Sequence, residues 1–410
     1  MSLPCFYSVS AINYKNQFCS VCPRQSDHLS YEYLPSKIFN DTGFVDIRNK
    51  LNQGVWPKGC DLCKEMERES NHSMRFDYPY PTNDYSVNGL VHNKGLRHIE
   101  FRFSNACNMS CLHCSSVFSS EWERKIKTYK PDNLDYKYDL RQLLNTEHKT
   151  YAGENLKIKL TPSMIKEICD DLNTNFKDLS YIDVTGGEPL YQKHFFVFLD
   201  NIMNHPNIKN MKLKFHTNFN TDFDPKNLCL YLKEFDRVKM TISVDAGKNI
   251  YSYFRDGDWN ILKNNIAKFR EEDKRTKIFA TCTTSAFQML DISNIFESLL
   301  TLDVDEIRSS IVQTPKYLNP RVLKNELEKY ILSDIESAYK LNLNSTAYSA
   351  LTTIKTYFVN SKYDAQNYMA FLKYIDKTQK LFNKNFNKHY NLFKYETERI
   401  RFHKDTMDKY

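Results

Sequence analysis

The stretch that decides the fold is Ile99-Glu-Phe-Arg-Phe103-Ser-Asn-Ala-Cys107-Asn-Met-Ser-Cys111-Leu-His-Cys114. Its first five residues are rich in β-branched and aromatic side chains, which predicts a β-strand. Three cysteines follow directly, in the spacing Cys-x3-Cys-x2-Cys. The sequence therefore predicts that all three thiols lie on one loop at the end of a strand.

Downstream of this stretch, short strand-like runs alternate with amphipathic segments, which is the pattern of parallel strands joined by helices. The first helix opens at Pro162, a residue that suits a first helical turn, and it carries Ile165, Ile168 and Leu172 on one face. Later helices are predicted at 195–203, 228–235, 259–269 and 292–300. Six strands are predicted, at 99–103, 181–185, 211–216, 238–244, 277–283 and 306–312.

Six strand–helix units predict an α/β fold, a partial (βα)6 TIM-like barrel whose reactive loops gather at the carboxyl ends of the strands. We expect this barrel at residues 97–320. Residues 1–96 form a Cys-rich segment predicted to bind a metal or cluster, and residues 321–410 carry apolar stripes typical of a helical extension. Residues 128–160 are polar and weakly periodic, so we expect a long insertion there.

The number of cysteines in the loop is informative about the centre they would hold. A four-iron cluster bound by Cys107, Cys111 and Cys114 would leave one iron open to a small molecule that binds through nitrogen and oxygen. A zinc loop is the alternative for the same three thiols.

Further polar or flexible residues follow the next three strands. The paired glycines of Gly186-Gly187-Glu188-Pro189 allow backbone groups to approach a ligand closely. Asn218 follows the third strand, and Ser243 and Asp245 follow the fourth, where each offers hydrogen bonds to a ligand. Each of these residues taken alone also fits an ordinary turn or helix cap.

The cysteine spacing after strand one and the Gly-Gly-Glu-Pro turn after strand two resemble the radical S-adenosylmethionine (SAM) superfamily. The resemblance implies that SAM and a [4Fe-4S] cluster are cofactors, that the cluster reductively cleaves SAM to a 5′-deoxyadenosyl radical, and that a flavodoxin- or ferredoxin-type protein donates the electron. It also implies roles for individual residues. Cys107, Cys111 and Cys114 would ligate the cluster, and His113, Gly186, Gly187, Glu188, Asn218, Ser243 and Asp245 would contact SAM. The family usually has an aromatic residue where this chain has His113.

Two Cys-x2-Cys pairs, Cys19/Cys22 and Cys60/Cys63, lie in the first 96 residues. Together they form a tetrathiolate set that suits either zinc or a second [4Fe-4S] cluster. This part is also similar to the amino-terminal portion of uncharacterised, often phage-encoded, twitch-type radical SAM proteins. Auxiliary cysteines of such domains usually follow the barrel, whereas no cysteine follows Cys282 here.

The four isolated cysteines are interpreted as structural thiols without chemistry. Arg255 is interpreted as an exposed residue, although it could neutralise a carboxylate. The isolated cysteines are Cys5, Cys169, Cys229 and Cys282.

The composition and the lack of long apolar runs limit the classes of partner and the cellular location that we expect. The chain has 57 Lys and Arg against 50 Asp and Glu, a net charge of +7 over 410 residues, which is too dilute to indicate nucleic-acid binding. The sequence shows no membrane-spanning apolar run and no signal peptide, so we expect a cytoplasmic protein that does not bind membranes.

Three functional hypotheses remain open from the sequence. The first is a radical SAM enzyme that acts on a peptide or protein, and the second is one that modifies a nucleoside or RNA base. The third is a non-catalytic metal-binding protein whose cysteines stabilise a docking surface. The sequence assigns no residue to the substrate chemistry itself.

Overall fold

The computed structural model describes residues 5, 7, 11–15, 18–22, 32–70, 73, 75, 95–128, 160–325 and 327–386. Within these residues, one open sheet of eight strands has the order β2-β1-β3-β4-β5-β6-β7-β8. It is an α/β fold and not a closed barrel. The strands are β1 (Ala11–Lys15), β2 (Phe18–Ser20), β3 (His98–Phe101), β4 (Tyr181–Val184), β5 (Lys212–Thr217), β6 (Arg237–Ser243), β7 (Lys277–Thr284) and β8 (Glu306–Ile311).

The six predicted strands are confirmed as β3 to β8, and each pairs in parallel with the next. The two faces of the sheet differ because side chains alternate along each strand. Phe101 lies on the outer face, where its ring is 4.9 Å from that of Phe198 on the covering helix layer. Glu100 and its parallel neighbour Asp183 lie on the opposite, inner face, which lines a cavity.

The helices after Pro162 are also confirmed. Pro162 is the first residue of its helix, and the Thr161 side chain caps the helix by accepting a hydrogen bond from the Met164 amide at 3.2 Å. The helices are α1 (Pro35–Ile38), α2 (Thr42–Asn52), α3 (Asp61–Ser70), α4 (Ser120–Thr128), α5 (Pro162–Asn175), α6 (Lys193–Ile202), α7 (Pro225–Leu232), α8 (Tyr251–Arg255), α9 (Trp259–Glu272), α10 (Ile292–Leu299), α11 (Glu328–Tyr339), α12 (Ser345–Asn360) and α13 (Ala365–Phe382).

The first 96 residues contribute two strands that were not predicted. Strand β1 pairs in parallel with β3, and β2 pairs antiparallel with β1. The Tyr14 ring of β1 stacks on Phe101 at 5.0 Å, which continues the apolar outer face beyond β3. The sheet therefore extends past the six predicted strands into the Cys-rich segment.

Beyond residue 320, the described part of the chain contains three α-helices, α11 to α13, as the apolar stripes predicted. The predicted insertion at 128–160 falls almost entirely outside the described residues. No helix among the residues described combines the length and the apolar character needed to cross a membrane.

Candidate functional site

A cavity of about 470 Å³ lies at the carboxyl ends of β3 to β7. The structure brings nine of the ten residues predicted for the cluster and SAM to its wall. Arg102, Thr185, His216 and Arg255 also line it, and none of these four was predicted as a site residue. The nine are Cys107, Cys111, Cys114, His113, Gly186, Gly187, Glu188, Asn218 and Ser243.

Hydrogen bonds from the start of α4 hold the cysteine loop in shape. The Ser119 hydroxyl donates to the Met109 carbonyl at 2.6 Å, and the Trp122 indole donates to the Cys111 carbonyl at 2.8 Å. The Ser120 hydroxyl accepts from the Cys107 amide at 3.1 Å. Because these donors and acceptors satisfy the loop backbone, the thiols do not depend on a regular strand or helix for their placement.

Two more distant segments hold the same loop from outside. The Leu112 amide donates to the Phe254 carbonyl at 2.9 Å, and the Tyr374 hydroxyl of α13 donates to the Leu112 carbonyl at 2.5 Å. Lys125 forms an ion pair with Asp256 at 2.6 Å. The helical extension is thus in direct contact with the segment that carries the cysteines.

The three thiols are buried close together. Burial, and after it the charge of Cys111, raises the pKa of Cys107 to about 12. Burial is also the main cause of the raised pKa values of Cys111 and Cys114. Three protonated thiols here would become thiolates readily only if a metal replaced their protons.

Arg255 supplies positive charge beside the thiols. Its side chain is 6% exposed, it pairs with Asp245, and its backbone carbonyl lies 3.4 Å from the Cys111 sulfur. The sequence suggested an exposed arginine, and the structure corrects this. An isolated Arg belongs to no sequence pattern that indicates burial. Its partner, Asp245, lies ten residues earlier in the sequence.

The Gly186-Gly187-Glu188 turn packs against the start of the cysteine loop. Gly186 and Gly187 have φ values of +74° and +59°, which glycine adopts without strain. A Cβ atom at Gly187 would lie 2.6 Å from the Ala106 carbonyl oxygen. Glycine is therefore required where the two segments meet.

Glu188 connects this turn to the end of β5. Its fully buried carboxylate accepts hydrogen bonds from the Thr217 hydroxyl at 2.5 Å, from the Asn218 amide and from the Leu190 amide. The Asn218 side chain in turn donates to the Asn108 side chain at 2.9 Å. In this arrangement the Glu188 carboxylate binds its own chain and aligns the turn with β5.

Asp245 differs from the other predicted residues because it lies behind the cavity wall. Its carboxylate accepts a hydrogen bond from the Thr283 amide at 2.7 Å, pairs with Arg255, and lies 3.5 Å from His113 Nε2. The other ring nitrogen of His113 is buried without a hydrogen-bond partner. Asp245 therefore orients His113 and Arg255, and these two side chains reach the cavity.

A second cavity, of about 630 Å³, lies against the inner face of the sheet towards the amino ends of β3 to β6. It shares Arg102, Thr185 and His216 with the first cavity. Positive charge predominates among the described residues on its wall. The cations are Arg102, Lys212, Lys214, Arg237 and Lys239, and the carboxylates are Glu100 and Asp183.

The structure divides the four amino-terminal cysteines that the sequence grouped. Cys22, Cys60 and Cys63 line one small gap, whereas Cys19 does not line it. The Cys19 sulfur instead lies 3.7 Å from the Glu32 carbonyl oxygen. Cys5, which was interpreted as a structural thiol, lines the gap in its place.

The residues around the first cavity suit a [4Fe-4S] cluster and SAM. Three thiols share the wall, a buried guanidinium offsets negative charge, and one buried histidine nitrogen is available for a partner. In the described part of the chain, no three His, Cys, Asp or Glu side chains are grouped for a single metal ion. The thiolates of a cluster each bind a different iron, so they need not converge on one point.

Part of the chain is similar to a known protein family. The family model described as Radical SAM superfamily matches residues 101–284. No curated protein sequence matches the chain.

Several solved structures are similar to the chain at low identity. An anSMEcpe structure with bound AdoMet is 17% identical over 58% of this chain and 62% of that one, with a TM-score of 0.32. Streptococcus suis SuiB bound to S-adenosylmethionine is 14% identical over 70% and 61%, with a TM-score of 0.33. SuiB bound to the precursor peptide SuiA is 12% identical over 72% and 64%, with a TM-score of 0.30.

The chain spans only about three fifths of the length of these solved chains. The family match does not depend on them, since it covers β4 to β7, the cysteine loop and the Gly-Gly-Glu-Pro turn. The family model therefore identifies residues 101–284 as a radical SAM domain.

Proposed function

We propose that this chain is a radical SAM enzyme that holds a [4Fe-4S] cluster through Cys107, Cys111 and Cys114. When bound, the cluster would supply one electron to the sulfonium of SAM, giving methionine and a 5′-deoxyadenosyl radical that abstracts hydrogen from the substrate. The observation that carries the proposal is that the three thiols share one cavity with the Gly-Gly-Glu-Pro turn and the ends of β5 and β6.

The residues on the wall suggest how SAM would be positioned. Backbone groups of Gly186 and Gly187 would bind the methionyl amino group of SAM. The side chains of Asn218 and Ser243 would bind the carboxylate and the ribose of SAM. His113, whose ring centre is 5.1 Å from that of Phe254, would lie beside the adenine. We assign Asp245 the role of a positioning residue that acts through His113 and Arg255.

The substrate would reach SAM from the inner face of the sheet, because the second cavity meets the first at Arg102 and His216. Asp183 pairs with Lys214 at 3.2 Å, and Glu100 lies 3.8 Å from Arg102. The remaining cations on this wall would attract negative charge.

We therefore propose a peptide or protein substrate that carries acidic residues near its reacting position. A phosphate-bearing nucleoside is the second candidate, because the same cations would bind its phosphate. A flavodoxin- or ferredoxin-type protein would donate the electron. In this proposal residues 97–320 form the catalytic unit, residues 1–96 an auxiliary metal segment and residues 321–410 a helical extension.

The test is anaerobic reconstitution of the chain with iron and sulfide, followed by addition of SAM and dithionite. We expect 5′-deoxyadenosine to accumulate in the wild-type chain and in Cys229→Ser, whose thiol lies on α7 outside the cavity. Cys111→Ser should form none. If a correctly loaded wild-type chain forms no 5′-deoxyadenosine, the proposal is wrong.

A further inference from the structure

Four cysteines surround a small gap at the amino-terminal end of the described chain. Cys5, Cys22, Cys60 and Cys63 line it, and the gap has a volume of about 30 Å³. The rest of its wall is almost wholly apolar and includes Tyr7, Val21, Ile47, Leu51, Trp56 and Leu62. The four thiols therefore line one mostly apolar enclosure.

The electrostatics of Cys60 identify the same neighbours. Burial raises its pKa, and the charges of Cys22, Cys5 and Cys63 raise it further, in that order. These are the same three thiols that line the gap with Cys60, and Cys19 is not part of that lining.

Cys19 faces a different part of the molecule because of its place in β2. It pairs in register with Tyr14, whose ring stacks on Phe101 in the layer between the sheet and its helices. Besides burial, the charge that raises the pKa of Cys19 is that of Asp41, in the loop before α2. Cys22 lies beyond the end of the strand, where the chain has left that face.

Local structure presents the other cysteines to the gap. The Ser20 hydroxyl donates to the Cys22 carbonyl at 2.9 Å and fixes the turn after β2. Gly59, with a φ of +83°, turns the chain into α3, and the Cys60 amide donates to the Pro57 carbonyl at 3.2 Å. Cys60 and Cys63 thus flank the first turn of α3 and line the same gap.

One residue on the wall of the gap, Arg75, belongs to a largely buried ion pair. Arg75 donates to Glu67 of α3 at 2.6 Å and lies 5.5 Å from the Trp56 ring centre. Both side chains of the pair are less than one fifth exposed. This pair ties a segment beyond α3 to the wall of the gap.

We infer that Cys5, Cys22, Cys60 and Cys63 are the four ligands of a second metal centre, with Cys5 in the position that the sequence pattern gave to Cys19. The ligand class is a thiophilic metal, either zinc or an iron–sulfur cluster, since tetrathiolate sets hold both. No three of the described His, Cys, Asp or Glu side chains are grouped for a single metal ion, so zinc would have to draw the four sulfurs inward, whereas each thiolate of a cluster binds a different iron. The inference deepens the proposed auxiliary metal segment, and because the site lies outside the SAM cavity its test is independent of SAM cleavage.

The test uses the full-length chain with Cys107, Cys111 and Cys114 replaced by Ser, so that any metal counted comes from the second site. Cys5→Ser and Cys19→Ser are compared in this parent after anaerobic purification. Zinc and iron per chain are measured by mass spectrometry, together with the visible absorption spectrum. We expect the parent and Cys19→Ser to hold either about one zinc without colour or about four irons with a brown absorption.

We expect Cys5→Ser to lose this metal and Cys5→His to regain it, since imidazole ligates both zinc and iron–sulfur clusters. The His variant also decides the outcome if Cys5→Ser fails to fold. Loss of metal in a folded Cys19→Ser chain, retention in Cys5→Ser, or a folded parent with no metal would each overturn the inference.

Discussion

Gly187 has no room for a side chain. A Cβ atom there would lie 2.4 Å from the Gln192 amide nitrogen and 2.6 Å from the Ala106 carbonyl oxygen, and φ is +59°. We expect Gly187→Ala to lower the free energy of unfolding by at least about 1–3 kcal/mol, because the backbone conformation alone costs that much. Thermal unfolding followed by circular dichroism measures the effect.

Gly43→Ala is the matched control for this prediction. Gly43 lies within α2 and does not have a positive φ, so alanine should leave stability unchanged or raise it slightly. Equal melting temperatures for Gly187→Ala and the wild-type chain would contradict the close approach of the two segments.

Ionisation of the Asp183 carboxyl should make the free energy of unfolding depend on pH. Burial raises its pKa to about 6, the charge of Lys214 opposes this, and one carboxylate oxygen is buried without a hydrogen-bond partner. In the unfolded chain this carboxyl ionises at an ordinary pH near 4. The folded state therefore holds a proton that the unfolded state has lost, and stability falls as the pH rises from about 4 to about 6.

We expect Asp183→Asn to remove this loss. Its stability relative to the wild-type chain should increase by about 2–3 kcal/mol between pH 4 and pH 6 and then stay level. Urea unfolding at several pH values measures the difference. The exposed Asp170→Asn of α5 is the control, and a pH-independent difference for Asp183→Asn would show that the buried carboxyl does not titrate in this range.

The residues that sequence reasoning placed best are those with a fixed spacing after a strand, such as Cys107, Cys111 and Cys114. Arg255 was misjudged because an isolated Arg has no local sequence pattern that indicates burial, and it lies beside the thiols only when the sheet forms. Asp245 was predicted beside the cofactor, yet it lies one layer behind the wall. Spacing identifies a strand end but not the direction of each side chain.

At the scale of elements, α13 supports the cysteine loop. The Tyr374 hydroxyl donates to the Leu112 carbonyl, and the Trp122 ring of α4 lies 4.7 Å from Phe382 of α13. We expect Tyr374→Phe to lower stability by about 1 kcal/mol, since it leaves a buried carbonyl without its donor. The freed loop should also release cluster iron to a chelator faster than the wild-type loop does.

Tyr339→Phe is the control that separates the loss of stability from the faster release of iron. Its hydroxyl bonds to Thr352 at 3.0 Å between α11 and α12, away from the loop. We expect a similar small loss of stability without faster iron release, measured by absorbance during chelation. Equal iron release from the two variants would contradict a role for α13 in holding the loop.

The elements with a strong local pattern were predicted well, and those that depend on distant pairing were not. Strands β3 to β8 and the helices between them follow from β-branched runs and apolar stripes. Strand β1 has only five residues, and its partner β3 lies more than eighty residues away. Such a short segment is a strand because of that pairing, which its own sequence does not reveal.

At the scale of the whole molecule, two cavities lie along the open sheet, one at the carboxyl ends of its strands and one towards their amino ends. Both are lined by Arg102, Thr185 and His216. The thiols lie at the carboxyl ends of the strands, while the cations of the second cavity lie along the inner face towards the amino ends. A substrate in the second cavity would therefore present its reacting atom to SAM while its charged part remained among the cations.

This arrangement predicts a preference for acidic substrates. Dye-labelled peptides of equal length with acidic, neutral or basic sequences should bind the reconstituted chain with SAM in decreasing order of affinity, as measured by fluorescence anisotropy.

Lys212 and Lys239 have no carboxylate partner among the described residues. The double variant Lys212→Gln, Lys239→Gln should therefore lower the affinity for the acidic peptide by about tenfold, or ~1.4 kcal/mol. The exposed Lys268→Gln of α9 should leave binding unchanged. Equal affinity for acidic and basic peptides would contradict an acidic peptide substrate, and tighter binding of a labelled nucleotide would favour the nucleoside instead.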